Sequence, residues 1–186
     1  LSFNEDGSIS GDNTDGLGLV EDLKAKGAKL KGRILLIGAG GAARGVIKPL
    51  LANNPQCLVI TNRTFAKAEL LANKFMPYGS ISARSAEKLK YENQFDLVIN
   101  STSASLTNEL PPVPNKIFAN KPMAYDMSYK KELTSFCQWA KDNGCQHIAD
   151  GLGMLVGQAA VAFEIWRGIM PETVPVLSAL REELGK

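Results

Sequence analysis

"RILLIGAGGAARGV", Arg33 to Val46, decides the fold. Its first part is a continuous apolar run of strand length, and its last part opens a helical pattern in which Val46, Ile47, Leu50 and Leu51 share one face. Between them, Gly38-Ala39-Gly40-Gly41-Ala42-Ala43 fits G-x-G-x-x-A, a pattern that binds dinucleotides when it joins a strand to a helix. Gly38 permits the tight turn, Gly40 lets backbone approach a pyrophosphate, and Ala43 lets the helix pack closely on the strand. Ala39, Gly41 and Ala42 complete the small-residue rim, and the anion would sit against free N–H groups at the helix start. Glycines also end strands for no functional reason, so the strand-turn-helix context carries this reading.

Outward from that stretch, "CLVIT" is a second buried strand, "FAKAELLANKF" a helix and "FDLVIN" a third strand. Alternating strands and helices predict an α/β fold, a Rossmann-like, doubly wound and mostly parallel sheet with helices on both faces. "MAYDMSY" and "CQHIAD" are weaker strand candidates around a helix from about Lys131 to Asn143, and Pro111, Pro112 and Pro114 mark a loop. Upstream, Leu1 to Ser10 reads as two short strands joined at Asp6-Gly7, and a helix runs from Asp15 to the stop at Gly27. Helical patterns from Gly151 to Arg167 and from Pro171 to Leu184 close the chain. The division expected is 1–14 as a remnant of a substrate domain, 15–150 as the dinucleotide-binding domain, and 151–186 as helices packing toward the substrate side.

Composition narrows the function. The 186 residues carry 21 Lys and Arg against 19 Asp and Glu with no run of like charge, so neither nucleic acid nor an anionic membrane is an expected partner. Cys57, Cys137 and Cys145 have no metal-ligand spacing and there is one His, so no metal is expected and reduced thiols suit the cytoplasm. No apolar run reaches the roughly 18 residues of a membrane span. The start at Leu1, on a strand-like segment, suggests that an N-terminal part is missing.

The end of the second strand selects the cofactor. An acid there would bond ribose hydroxyls and repel a 2′-phosphate; this chain has Asn62, Arg63 and Thr64, with Lys67 one turn on. A guanidinium suits a phosphate through charge-assisted, bidentate contact, so NADP is expected rather than NAD. Alone, either cation would read as ordinary solvated surface. The third strand ends in "NSTSAS", Asn100 to Ser105, and Ser101 and Thr102 would line the nicotinamide half of the crevice unless this is a plain polar loop. In "GDNTDG", Gly11 to Gly16, Asp15 opens a helix, where a carboxylate serves equally as an N-cap or as part of a site. Asp12 fits a local turn, and the spacing does not make a calcium loop.

Taken together, "GDNTDG", "LLIGAGGAARGV", "TNRT" with Lys67 and Ala68, "INSTS", "YDMSY" and "ADGLGMLVGQAA" resemble the shikimate dehydrogenase family over nearly the whole chain. The resemblance is to its C-terminal NADP-binding domain and the last part of its substrate domain. It implies reduction of 3-dehydroshikimate to shikimate with NADPH, with a Lys and an Asp at the reacting hydroxyl. Asp15 matches the Asp; the Lys would lie upstream of Leu1, so this chain alone is expected to bind NADP without turnover. The resemblance also implies substrate contacts from Gln158 and Tyr129, and nicotinamide contacts from Met127, Gly151 and Met154, although either Met could simply fill the core. Lys67 stands where relatives often have Arg, keeping the charge but losing the fork. A quinate/shikimate dehydrogenase of looser cofactor choice and a non-catalytic dinucleotide-binding module remain as alternatives. Monomer and homodimer are equally open.

Overall fold

The computed structural model describes residues 1–92 and 94–185. Its central sheet has six strands: β3 (Arg33–Ile37), β4 (Cys57–Thr61), β5 (Ile81–Ala83), β6 (Leu97–Asn100), β7 (Met123–Asp126) and β8 (Ile148–Asp150). Their order is β5-β4-β3-β6-β7-β8 and every pairing is parallel. A parallel sheet must be covered on both faces, which is why these strands are almost wholly apolar rather than alternating. The chain passes from the β5 edge back to the centre before β6, so the strand order reverses between β3 and β6. Ligands of open parallel sheets bind at such a point, beyond the carboxyl ends of the strands.

On one face Ile34, Leu36, Leu58, Ile60 and Ile99 pack against α1 (Asp15–Ala25), α2 (Gly41–Leu51) and α3 (Phe65–Phe75) in one core cluster. The other face buries Leu35, Val59, Val98 and Ala124 against Phe95, Phe118 and Phe136. Phe118 meets Trp139 edge to face at 4.8 Å between ring centroids, an arrangement favoured by the ring quadrupoles. Cover on this face comes less from helices than alternation predicts. The crossovers into β6 and β7 use short 3-10 turns at Lys88–Tyr91, Ala104–Thr107 and Asn115–Phe118. Pro111, Pro112 and Pro114 lack the N–H groups that a longer helix there would need.

Helix α4 (Ser135–Asp142) starts four residues later than its expected beginning at Lys131. Thr134 caps it by accepting from the Cys137 N–H at 3.2 Å, and a capping threonine takes non-helical dihedrals that exclude the preceding residues from the helix. Burial pushes the Cys137 thiol up to about 11, so this cysteine stays a protonated core residue at neutral pH. The expected pair of short strands is present as β1 (Ser2–Phe3) and β2 (Ile9–Ser10), antiparallel around Asp6 and Gly7.

Two more helices end the chain, α5 (Leu152–Arg167) and α6 (Val174–Gly185). Helix α5 crosses α1 where both surfaces are bare: a Cβ on Gly18 would lie 2.4 Å from the Gln158 N, and one on Gly157 3.1 Å from the Gly18 Cα. Beside the crossing, the Tyr125 hydroxyl donates to Asp22 Oδ2 at 2.7 Å, and burial with the neighbouring carboxylate raises the Tyr125 pKa above its ordinary value. Helix α6 is tied back to the end of β8 by a two-pronged contact from Arg181 to Asp150. No helix of the described residues is long and apolar enough to cross a membrane.

Candidate active site

The turn after β3 is built for close contact. Gly38 has φ of +116°, and a Cβ there would lie 2.5 Å from Ser101 Oγ, so both backbone and space require glycine. Its N–H donates to the Thr61 carbonyl at 2.8 Å, which pins the turn to the end of β4. Gly40 and Gly41 differ: a Cβ on either would meet no protein atom within 4 Å. Gly40 has ordinary extended dihedrals, φ −86° and ψ −166°. Neither strain nor packing requires the bare backbone at Gly40, which leaves the turn open for a ligand to approach. Ala43 is fully buried, as close contact of α2 with the sheet requires.

Gly40→Val therefore tests the loop directly. The fold should lose about 1 kcal/mol or less, the scale of a changed N-cap residue, whereas the isopropyl group would occupy the ligand's space. The expected outcome is loss of dinucleotide binding by calorimetry with a nearly unchanged thermal melt. Normal binding by the variant would place the ligand elsewhere.

Two concavities meet at the strand ends. One, of about 410 Å³, is lined by Asp15, Ala42, Ser101, Thr102, Tyr129 and Gln158, and also by Met127, Gly151 and Met154. The other, of about 380 Å³, is lined by Gly38, Asn62, Arg63, Thr102 and the loop through Pro111 to Val113. Residues from six separate segments of the sequence thus converge on the point where the strand order reverses. Ala39 and Lys67 instead face a third concavity over the glycine turn. Thr64 stands at the N-cap of α3 without a side-chain capping bond, and its carbonyl accepts from Asn62 Nδ2 at 3.0 Å.

Asp15 is the first residue of α1 but not its cap. Thr14 occupies the cap position without a side-chain capping bond, and Asn13 Oδ1 takes the Asp15 N–H at 2.7 Å. The capping duty that the sequence leaves open for Asp15 falls on Asn13. Asp15 remains half-buried, and among the described residues its side chain takes one contact, from Asn13 Nδ2 at 3.3 Å. Asp12 accepts from the adjacent Asn13 N–H at 2.8 Å, without the local turn expected of it. Across the cavity, Thr14 Oγ1 donates to Gln158 Oε1 at 3.3 Å, which orients the amide toward α1.

Beneath the loop after β6 lies a polar network that the sequence does not announce. Asp126 is fully buried and accepts from Asn100 Nδ2 at 3.1 Å, Ser105 Oγ at 2.5 Å and the Ser128 N–H at 3.1 Å. Burial raises its pKa while those donors oppose the rise. Asn100 Oδ1 in turn takes the Thr102 hydroxyl at 2.7 Å, and Ser101 Oγ donates to the Ile37 carbonyl at 2.7 Å. Ser101 and Thr102 are thereby held at the crevice wall, and Asp126 joins their loop to the one carrying Met127 and Tyr129. Gly151 is demanded by packing, since a Cβ there would lie 2.0 Å from the Met127 carbonyl. The only sequence signal for the network is the polar end of "AYD" in a buried strand.

Comparison with known proteins places this geometry. The family described as shikimate / quinate 5-dehydrogenase matches residues 22–109, and the shikimate 5′-dehydrogenase C-terminal domain matches residues 151–181. A shikimate dehydrogenase (NADP(+)) of Vibrio cholerae is 55% identical over 181 residues, covering 97% of this chain and 64% of the relative. Its counterpart in Aeromonas hydrophila is 56% identical over 187 residues, covering 100% of this chain and 67% of the relative. Among solved structures, shikimate 5-dehydrogenase from Thermus thermophilus in complex with NADP(H) and shikimate superposes with a TM-score of 0.80 at 33% identity. That match covers 96% of this chain and 65% of the other. The chain spans about 64% of the length of the first of these relatives.

Proposed function

The chain belongs to the shikimate dehydrogenase family, and from that premise we propose that it is the NADP-binding part of an oxidoreductase interconverting shikimate and 3-dehydroshikimate. One observation carries the reading: Asp15, Tyr129 and Gln158 share a cavity with Ser101 and Thr102 at the reversal of strand order, next to a glycine turn bare of side chains. A module that only binds a dinucleotide would not need three polar groups in a concavity separate from the one over Gly40 and Gly41.

NADP, when bound, supplies the hydride acceptor. The residues of the chain do the rest. The backbone at Gly40 and Gly41 and the start of α2 favour a pyrophosphate, and Arg63 takes the adenosine 2′-phosphate. The loop bearing Ser101 and Thr102, fixed by Asn100, walls the nicotinamide side together with Met127, Gly151 and Met154. Taking a hydride from a secondary alcohol carbon obliges the hydroxyl proton to leave, so an acid–base group must meet that oxygen. The Asp15 carboxylate accepts the hydroxyl, and Gln158 and Tyr129 orient the polyhydroxy acid. Among the described residues no lysine lines this cavity, so the basic partner of Asp15 comes from the part of the relatives' length without a counterpart here. The segment boundaries proposed are 1–14, 15–150 and 151–186, and three free thiols fit a reducing, cytoplasmic setting.

The testing experiment is a calorimetric titration of NADP and NAD against the chain and its Arg63→Ala variant. Loss of a charged hydrogen-bonded contact costs roughly 1.5 to 3 kcal/mol, about ten- to a hundredfold in affinity. NADP should weaken by that factor in the variant while NAD changes little. Equal losses for the two cofactors would remove the reason for choosing NADP.

A further inference from the structure

The four cations near the glycine turn do not act from one side. Arg63 lines the concavity that contains Gly38 and Asn62, whereas Lys67 lines a separate one, of about 640 Å³, over Gly40 and Gly41. Arg44 and Lys74 line that second concavity too. Arg44 lies in the first turns of α2, while Lys67 and Lys74 stand seven residues apart, two turns along one face of α3. All three are exposed, and among the described residues none of them makes an ion pair. No acid lines the concavity among those residues. Elsewhere on the surface cations do find partners, as Lys24 does with Glu21 and Arg33 and Arg84 do with Glu92.

Three unpaired cations around one hollow repel one another, an arrangement relieved by a bound anion of high charge. The floor of the hollow is the same bare backbone that the dinucleotide approaches, so the anion is part of the cofactor or adjoins it. Resting on the NADP reading above, we infer that Arg44 is a second reader of the adenosine 2′-phosphate, gripping it from the α2 side opposite Arg63. The phosphate then lies between two guanidiniums, with Lys67 adding charge from the side. Lys67 alone, a point charge without the fork, does not pair two phosphate oxygens at once; the planar guanidinium of Arg44 supplies the fork.

The test uses Arg44→Gln and Arg44→Lys, titrated with NADP, NAD and adenosine 2′,5′-bisphosphate, with a thermal melt of each variant. Arg44 is exposed and unpaired, so the melts should coincide with that of the parent chain. Arg44→Gln should weaken NADP and the bisphosphate about ten- to thirtyfold and change NAD less than about twofold, with Arg44→Lys in between. Equal weakening of NADP and NAD would put Arg44 on the pyrophosphate and overturn the inference. So would unchanged affinity for all three probes. If the parent chain bound neither dinucleotide, the cofactor reading itself would fall, a result separable from the other two.

Discussion

The 186-residue polypeptide is expected to bind NADP and to form no measurable NADPH from shikimate. All six strands of the sheet and the turn after β3 are present, with their core packed on both faces, so the cofactor half stands without help. The substrate half does not: Tyr129 is 38% exposed, and among the described residues nothing closes over the cavity that it shares with Asp15 and Gln158. Correct placement of reacting groups supplies about 7 to 11 kcal/mol of a typical barrier, and an absent basic group removes roughly another 10² to 10⁴ in rate. The two losses compound. Calorimetry and absorbance on one pure sample check both halves of the expectation. Turnover at the rate of a full-length relative would mean that some residue of this chain replaces the lysine, and failure of a folded sample, one with a cooperative thermal melt, to bind NADP would overturn the cofactor reading.

Asp15→Asn, placed in a polypeptide of the relatives' full length that contains these residues, should lower kcat by roughly 10² to 10⁴. NADP affinity should remain within about twofold, because Asp15 lines a different concavity from those that hold the glycine turn. The local hydrogen bonding sharpens this expectation. With Asn13 taking the Asp15 N–H, the Asp15 side chain carries no capping bond whose loss could unfold α1, so a slower variant reports on chemistry rather than on stability. The asparagine keeps the shape, removes the negative charge and replaces one acceptor oxygen with an amide donor. An unchanged kcat would return Asp15 to a merely local role at the start of α1.

How much of this is legible in the chain depends on range. The glycine turn is, because its residues are consecutive and their neighbours show a clean change from strand to helix pattern. The bare backbone at Gly40 and Gly41 is implied by residue type alone. Strand β5, Ile81–Ala83, is not legible, since three residues carry no period. The start of α4 reads too early because Lys131, Glu132 and Leu133 all suit a helix, and the capping role of Thr134 outweighs their propensity. Arg44 and Lys74 escape a sequence reading for a different reason: they are 30 positions apart in the chain and meet only because α2 and α3 flank one hollow. Likewise the Asp126 network joins residues up to 26 positions apart, and no local pattern encodes it.

The crossing of α1 and α5 has one more consequence. Because a Cβ on Gly18 would collide with the Gln158 backbone, the two helices approach there as closely as backbone contact allows. Asp15 stands one turn before the crossing on α1, and Gln158 stands beside it on α5. The backbone span between Asp15 and Gln158 is therefore set by glycine contact, and Thr14 then holds the Gln158 amide toward α1. If Asp15 and Gln158 meet the substrate as proposed, the spacing of hydroxyl groups that they accept depends on two glycines that never touch it.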